Sequence, residues 1–313
     1  LRVYTHPACL EHDPGTGHPE CPARLYSVIQ ALHNALPELE WLQAPGADRD
    51  QLARAHSPEL IEKILDADVG ENLHLDADTI MSPSSKSAAL HAAGAGIAAA
   101  NAVMRGDIKQ AFCAVRPPGH HATRNTAMGF CLFNNIAVCA THLLSEHRLQ
   151  RIGIVDFDVH HGNGTEDIFR GDERVFYLST HEAGIYPDTG SSLDNRPLHL
   201  SNALLMPGSG SADFRAAWRQ LLPELEAFQP EILLISAGFD AHRLDPLANL
   251  NLNAEDYFWL SGELARIADE FSNGRIISML EGGYSLTALR ECSVAHLRGL
   301  MASNRARNPA QPN

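Results

Sequence analysis

The sequence predicts an α/β protein built on a parallel sheet, and three observations carry that expectation. Six short apolar or β-branched runs, at residues 1–5, 111–115, 151–155, 174–179, 232–236 and 275–280, alternate with longer stretches of helical spacing. This is the rhythm of strands joined by crossover helices. Four of the runs pass directly into polar clusters, as expected where parallel strands end together at a ligand-binding crevice. No internal repeat or linker divides the chain, so residues 1–302 are expected to form one domain and 303–313 a flexible tail.

In chain order, residues 1–5 read as the first strand and residues 9–21 as a loop. Pro22 then opens a helix, its missing N–H harmless at that position, with Leu25, Val28, Ile29, Leu32 and Leu36 on one face. Ser57-Pro58 opens another in the same manner. Residues 88–103 are rich in Ala and Gly but interrupted by His91 and Asn101, which suits a tightly packed helix better than a membrane span. Residues 213–228 and 256–271 carry further apolar stripes at helical spacing. The stretch 182–211, rich in Gly, Pro, Ser and Asn, exceeds ordinary connection lengths and is expected to be a long loop shaping a binding mouth.

With 38 acidic residues against 24 Lys and Arg, the chain of 313 residues carries a formal charge of -14. That disfavours direct nucleic-acid binding, which rests on attraction to phosphate. The six cysteines form no C-x-x-C pair, so they are expected to be reduced and the protein cytoplasmic. No signal peptide or membrane span stands out; the chain opens on Leu1, which leaves room for a segment trimmed before it.

The polar clusters hold the chemistry. They are Arg116-Pro117-Pro118-Gly119-His120-His121, then Asp156-Phe157-Asp158-Val159-His160-His161-Gly162-Asn163-Gly164, then Ala237-Gly238-Phe239-Asp240, then Glu281-Gly282-Gly283-Tyr284. Read as an extended segment, Asp156, Asp158 and His160 start on one side. Asp158 and His160, joined by Asp240 at the end of an apolar run, make a three-ligand metal site with room for water. A thiolate-free Asp-His-Asp set suits catalytic Zn²⁺, although ligand type alone also admits Fe²⁺ or Mn²⁺. His120 and His121 sit in a loop stiffened by two prolines. Asp156 is free to hold one imidazole and Asn163 the other, so the two should differ in basicity. Tyr284, after two glycines, offers a phenol to a developing oxyanion. His161 is left without a catalytic role.

With these residues assembled, the chain resembles the zinc-dependent histone deacetylase family, most closely its class II and bacterial amidohydrolase-like members. The motifs run from His18-Pro19-Glu20 with Arg24, through Arg116 to His121 and residues 128–135, to Asp240, Asp245-Pro246-Leu247 and Gly282-Gly283-Tyr284. The resemblance implies an arginase/deacetylase-like three-layer fold around an eight-stranded parallel sheet, two strands more than the runs suggest. It implies one zinc on Asp158, His160 and Asp240, with His120, His121 and Tyr284 catalytic and oriented by Asp156 and Asn163. It implies a K⁺ site on Asp156, Asp158, His160, Ser179 and Thr180, and a second near Phe169 and Val175. Gly129, Phe130, Tyr186, Leu247 and Asp78 are implied to contact substrate. The activity implied is hydrolysis of an N-acyl amide, on an acylated lysine peptide or protein, or on an acylated polyamine. Leu247 stands where one polyamine-selective branch has a glutamate. An inactive acyl-lysine-binding protein is the remaining reading, and homo-oligomerisation is left open.

Overall fold

The computed structural model describes residues 1–191 and 199–306. Its centre is an eight-stranded parallel sheet made of β1 (Arg2–Thr5), β2 (Glu40–Gln43), β5 (Gln110–Cys113), β6 (Ile152–Asp156), β7 (Val175–Glu182), β8 (Leu200–Leu205), β9 (Ile232–Ala237) and β10 (Ile276–Leu280). β3 (Leu73–His74) and β4 (Ile80–Met81) form a separate antiparallel pair. The spatial order is β2-β1-β5-β10-β9-β6-β7-β8. Strand β5 is thus followed in the sheet's sequence by β6, three places further on, and the two-strand gap is filled last by β9 and β10. That reversal is the topological switch point where α/β sheets bind ligands. The four polar clusters follow β5, β10, β9 and β6, the four adjacent central strands.

The central strands are fully buried along their length, which is why they read as continuous apolar runs. Helices flank the sheet in two groups. One contains α1 (Ala8–Glu11), α5 (Ser85–Arg105) and α6 (Asn135–Glu146); the other contains α2 (Pro22–Ala35), α8 (Ser211–Phe228), α9 (Ala254–Phe271) and α10 (Leu286–Ala306). The shorter α3 (Arg49–Ala53), α4 (Pro58–Leu65) and α7 (Asn163–Phe169) complete the set. Ser57 caps α4 by accepting from the Leu60 amide, with Pro58 in the first turn. Helix α5 is long and apolar enough to cross a membrane by composition, but 67% of that window is buried inside the molecule. Its small residues let it press against α1, α6 and the sheet.

The sequence expectations need three corrections. Edge strands β2 and β8 were absent from the run count; each has a single neighbour in the sheet, and β2 is mostly exposed. The stretch 182–211 is not one loop, because it contains β8 and its first residue, Glu182, closes β7; residues 192–198 lie outside the described residues. The 9–21 loop begins inside α1. Helix α10 runs through Ala306, and of the expected tail 303–313, residues 307–313 lie outside the described residues.

Candidate active site

Strand β6 ends at Asp156, so Asp158 and His160 reach their places by a turn, and not by the extended alternation the sequence suggested. The turn is built by carboxylates accepting from amides two residues on. Asp156 Oδ1 accepts from Asp158 N at 3.1 Å, and Asp158 Oδ1 accepts from His160 N at 2.9 Å. Asp240 is carried in from the end of β9, its Oδ1 accepting from Val159 N at 2.8 Å. The glycine pair after β10 adds Gly282 N, which donates to Asp158 Oδ2 at 2.8 Å.

The result is a buried triad in which one ligand atom from each of Asp158, His160 and Asp240 lies within 4.8 Å of the others. His160 Nδ1 is 3.1 Å from Asp158 Oδ1 and 3.4 Å from Asp240 Oδ2. Asp240 Oδ2 is fully buried with no hydrogen-bond partner. Burial and the charge of Asp158 push the Asp240 carboxyl upward, while against burial the two carboxylates raise His160 to about 10. An orphaned carboxylate oxygen facing a second carboxylate and an imidazole is the arrangement a bound divalent cation resolves. The donor set fits Zn²⁺.

At the positions where the resemblance implies potassium, the side chains have the following surroundings. The Asp156 carboxylate is already engaged by His120, Tyr177 and Asp158 N, and Ser179 Oγ is bonded to His181. The orphaned oxygen of Thr180 is its side-chain hydroxyl, not the carbonyl the resemblance invokes. Phe169 and Val175 are buried apolar side chains.

Beside the triad stand the two histidines. His120 Nδ1 lies 3.0 Å from Asp156 Oδ2, and His121 Nδ1 lies 2.8 Å from Asn163 Oδ1. Their loop is fixed at the backbone: Gly119 N and His120 N donate to Glu281 Oε2 at 2.7 and 3.2 Å, while Gly164 N and Thr165 N at the start of α7 donate to the His120 carbonyl at 3.0 and 3.1 Å. The imidazoles diverge in basicity. Burial would lower both, but the charges of Asp158 and Asp156 carry His120 up to about 10. At His121 the charge of Asp158 and the bond to Asn163 are outweighed; burial and the positive charge of His120 and His160 hold it well below the usual histidine range.

Above these groups lies a cavity of ≈ 210 Å³, walled by Gly129, Phe130, Tyr186, Leu247, Tyr284 and Asp78, with His121 and His160 also lining it. It unites all the expected substrate contacts. Gly129, at φ +57, lies flat on His121, where a Cβ would meet the ring at 2.6 Å. Phe130 and Tyr284 meet edge to face at 5.8 Å. Asp78 is exposed and its carbonyl faces His18 Nε2 at 3.0 Å.

The groups that hold Tyr284 carry no role in the reading of the motifs. Arg24 lies over the Tyr284 ring at 4.8 Å and donates to the carbonyls of Gly283 and Glu281 at 2.6 and 2.5 Å. Glu20 binds both Arg24 and Arg116 and lies 3.3 Å from His12, all of them buried. Asp245 Oδ2 accepts from Tyr284 N at 2.7 Å while its Oδ1 accepts from Leu247 N at 3.0 Å, tying the phenol to the cavity rim. Glu20, Arg24 and Asp245 stood in the motifs; their geometry was the missing signal.

Comparison with known proteins places the chain in a family. The sequence profile of the histone deacetylase domain matches residues 18–300. Histone deacetylase 14, chloroplastic, of Arabidopsis thaliana is 36% identical, the match covering 96% of this chain and 77% of the relative. The histone deacetylase-like amidohydrolase of Pseudomonas aeruginosa is 33% identical over 91% of this chain and 77% of its own. The crystal structure of the HDA15 HD domain superposes with a TM-score of 0.91 at 32% identity, covering 96% of this chain and 88% of that one. With domain, relatives and fold in agreement, this chain belongs to the histone deacetylase family.

Proposed function

We propose that the chain is a zinc-dependent deacylase that hydrolyses the amide of N-ε-acetyl-lysine in a peptide or protein. The observation that carries this reading is the ≈ 210 Å³ cavity whose lining brings His121, the triad's His160 and Tyr284 together with Phe130 and Tyr186.

Asp158, His160 and Asp240 would hold a divalent cation, which would supply Lewis acidity to a carbonyl oxygen and lower the pKa of water toward about 7. His121 acts as the base. Its Nδ1 proton is committed to Asn163 Oδ1, which leaves Nε2 to accept the proton of the attacking water. Kept unprotonated by burial and by its charged neighbours, it is ready for that step near neutral pH. Tyr284 donates its hydroxyl to the developing oxyanion; burial holds the phenol well above its ordinary range, so the proton is there to donate. His120, protonated beside Asp156 and Asp158, adds positive charge beneath the reacting centre. As the C–N bond breaks, His121 returns its proton to the amine nitrogen. An acetate and a free lysine side chain leave.

Acetylpolyamine hydrolysis is the second reading, favoured by the exposed Asp78 at the mouth and the formal charge of -14. Leu247, which offers no charge to a second amine, favours the peptide. A panel of acetyl-lysine peptides, acetylspermidine and acetylputrescine with zinc supplied decides between them. The peptides should have the highest kcat/KM; a preference for the polyamines would reverse the assignment.

A further inference from the structure

His161 had no role in the sequence reading and takes no part in the chemistry above, yet it is 2% exposed and fully engaged. Its Nε2 lies 3.0 Å from Glu166 Oε2, and that carboxylate is itself held by Arg170 and by Asn202 Nδ2. Its Nδ1 lies 2.8 Å from Thr189 Oγ1. With Nε2–H donating to the carboxylate, Nδ1 is left as the acceptor for the threonine hydroxyl. Gly190, at φ +79, rests directly on the imidazole, where a Cβ would meet the ring at 2.5 Å. The adjacent His181 faces the Gly190 carbonyl through Nε2 at 3.1 Å.

These contacts fix one end of the 183–190 segment. The other end is joined to β8 by Ala183 N, which donates to the Leu205 carbonyl at 2.8 Å. Between them stands Tyr186, edge-on to His121 at 5.1 Å and to His160 at 6.4 Å. Tyr186 is a partition. One side faces the ≈ 210 Å³ substrate cavity, and the other faces a second cavity of ≈ 340 Å³ lined by His161, His181, Ile185, Thr189 and Leu204. A wall with open space behind it is not held in place by close packing. Its position depends on the polar anchor at the end of its segment.

We propose that His161 is a positioning residue for substrate selection: through Thr189 it holds the 183–190 segment so that Tyr186 closes the tunnel to acyl groups longer than acetyl. The proposal rests on the deacylase reading. Two replacements of similar shape remove the bond from either side. Thr189→Val does so without touching the ligand-bearing turn, and His161→Phe keeps a ring beneath Gly190.

The kcat/KM for a butyryl-lysine peptide relative to its acetyl-lysine counterpart should rise about 10-fold in each variant, the scale on which a pocket discriminates by a methylene or two. The rise should come mainly through KM, and Thr189→Ser should restore the original ratio. The double variant should shift no further than either single one, because both lose the same bond. Hydrogen exchange across 183–190 should accelerate in both, with zinc content unchanged in Thr189→Val. An unchanged acyl ratio in Thr189→Val overturns the proposal, whatever His161→Phe does. If the unaltered protein hydrolyses no acyl amide, the deacylase reading fails and acyl selection with it. Exchange then reads the anchor separately, and rates like those of the unaltered protein in both variants would remove that as well.

Discussion

Tyr284 is the residue at which the catalytic reading is most exposed to test. Its amide is held by Asp245 and its ring lies under Arg24, so Tyr284→Phe should keep the ring in place and lose only the hydroxyl. Loss of one oxyanion donor costs about 10² to 10³ in kcat. Zinc content and KM should change little. Turnover within a few-fold of the unaltered enzyme would remove the phenol from the mechanism. Much of this residue-scale site was legible in advance, because adjacent His-His, D-x-D-x-H and Gly-Gly-Tyr strings place chemistry within a few residues of a strand end. The roles of Glu20, Arg24 and Asp245 were not. Glu20 lies 261 residues before Glu281, whose backbone its partner Arg24 holds, and sequence spacing is blind to such closures.

At the scale of elements, that buried network joins the segment before α2 to the ends of β5 and β10. Glu20 is fully buried, and although burial alone would raise its carboxyl, Arg116, His12 and Arg24 hold it well below the usual carboxylate range. Replacing it with glutamine leaves two buried guanidinium groups without their counter-charge, and breaking a buried pair from one side costs about 3–5 kcal/mol. Glu20→Gln should therefore lower unfolding free energy by that order in urea titration and weaken turnover, since Arg24 also holds the Tyr284 loop. A loss below about 1 kcal/mol would show that the network is not a structural tie. The legibility of the strands has a related cause. Central strands β5, β6, β9 and β10 are buried on both faces and must be apolar throughout, so each announces itself. Edge strand β2, Glu-Trp-Leu-Gln, carries polar side chains on its exposed surface, and β8 lies in a stretch rich in turn-forming residues. Edges need no long apolar run: β2 has none, and in β8 only the short Ala203-Leu204-Leu205 follows Ser201-Asn202.

Across the whole molecule, several histidines are folded in neutral form outside the catalytic cluster. Burial lowers His56 to about 4 and His296 to about 3. His56 accepts from Asn134 N at 2.8 Å, and Asn134 in turn caps α6; His296 links Ser261 on α9 to Ser278 on β10. Since these bases bind protons less readily folded than unfolded, the unfolded state takes up more protons below about pH 6.5. Their contribution is intact above that value and is lost as pH falls toward 4 for His56 and 3 for His296. Each unit of pKa difference corresponds to about 1.4 kcal/mol. Urea unfolding at pH 7 and pH 5 should show a clear loss at the lower pH; a flat profile would contradict the neutral assignment.

The fold, the triad and the cavity together make one claim, that Asp158, His160 and Asp240 hold the cation on which amide hydrolysis depends. The direct measurement is turnover of an acetyl-lysine peptide by chelator-stripped protein titrated with Zn²⁺. Activity should vanish on stripping and return in proportion to zinc, saturating at one ion per chain, with no recovery in Asp240→Asn. Undiminished turnover after stripping, or stoichiometric zinc binding with no hydrolysis of any acyl amide, would contradict it.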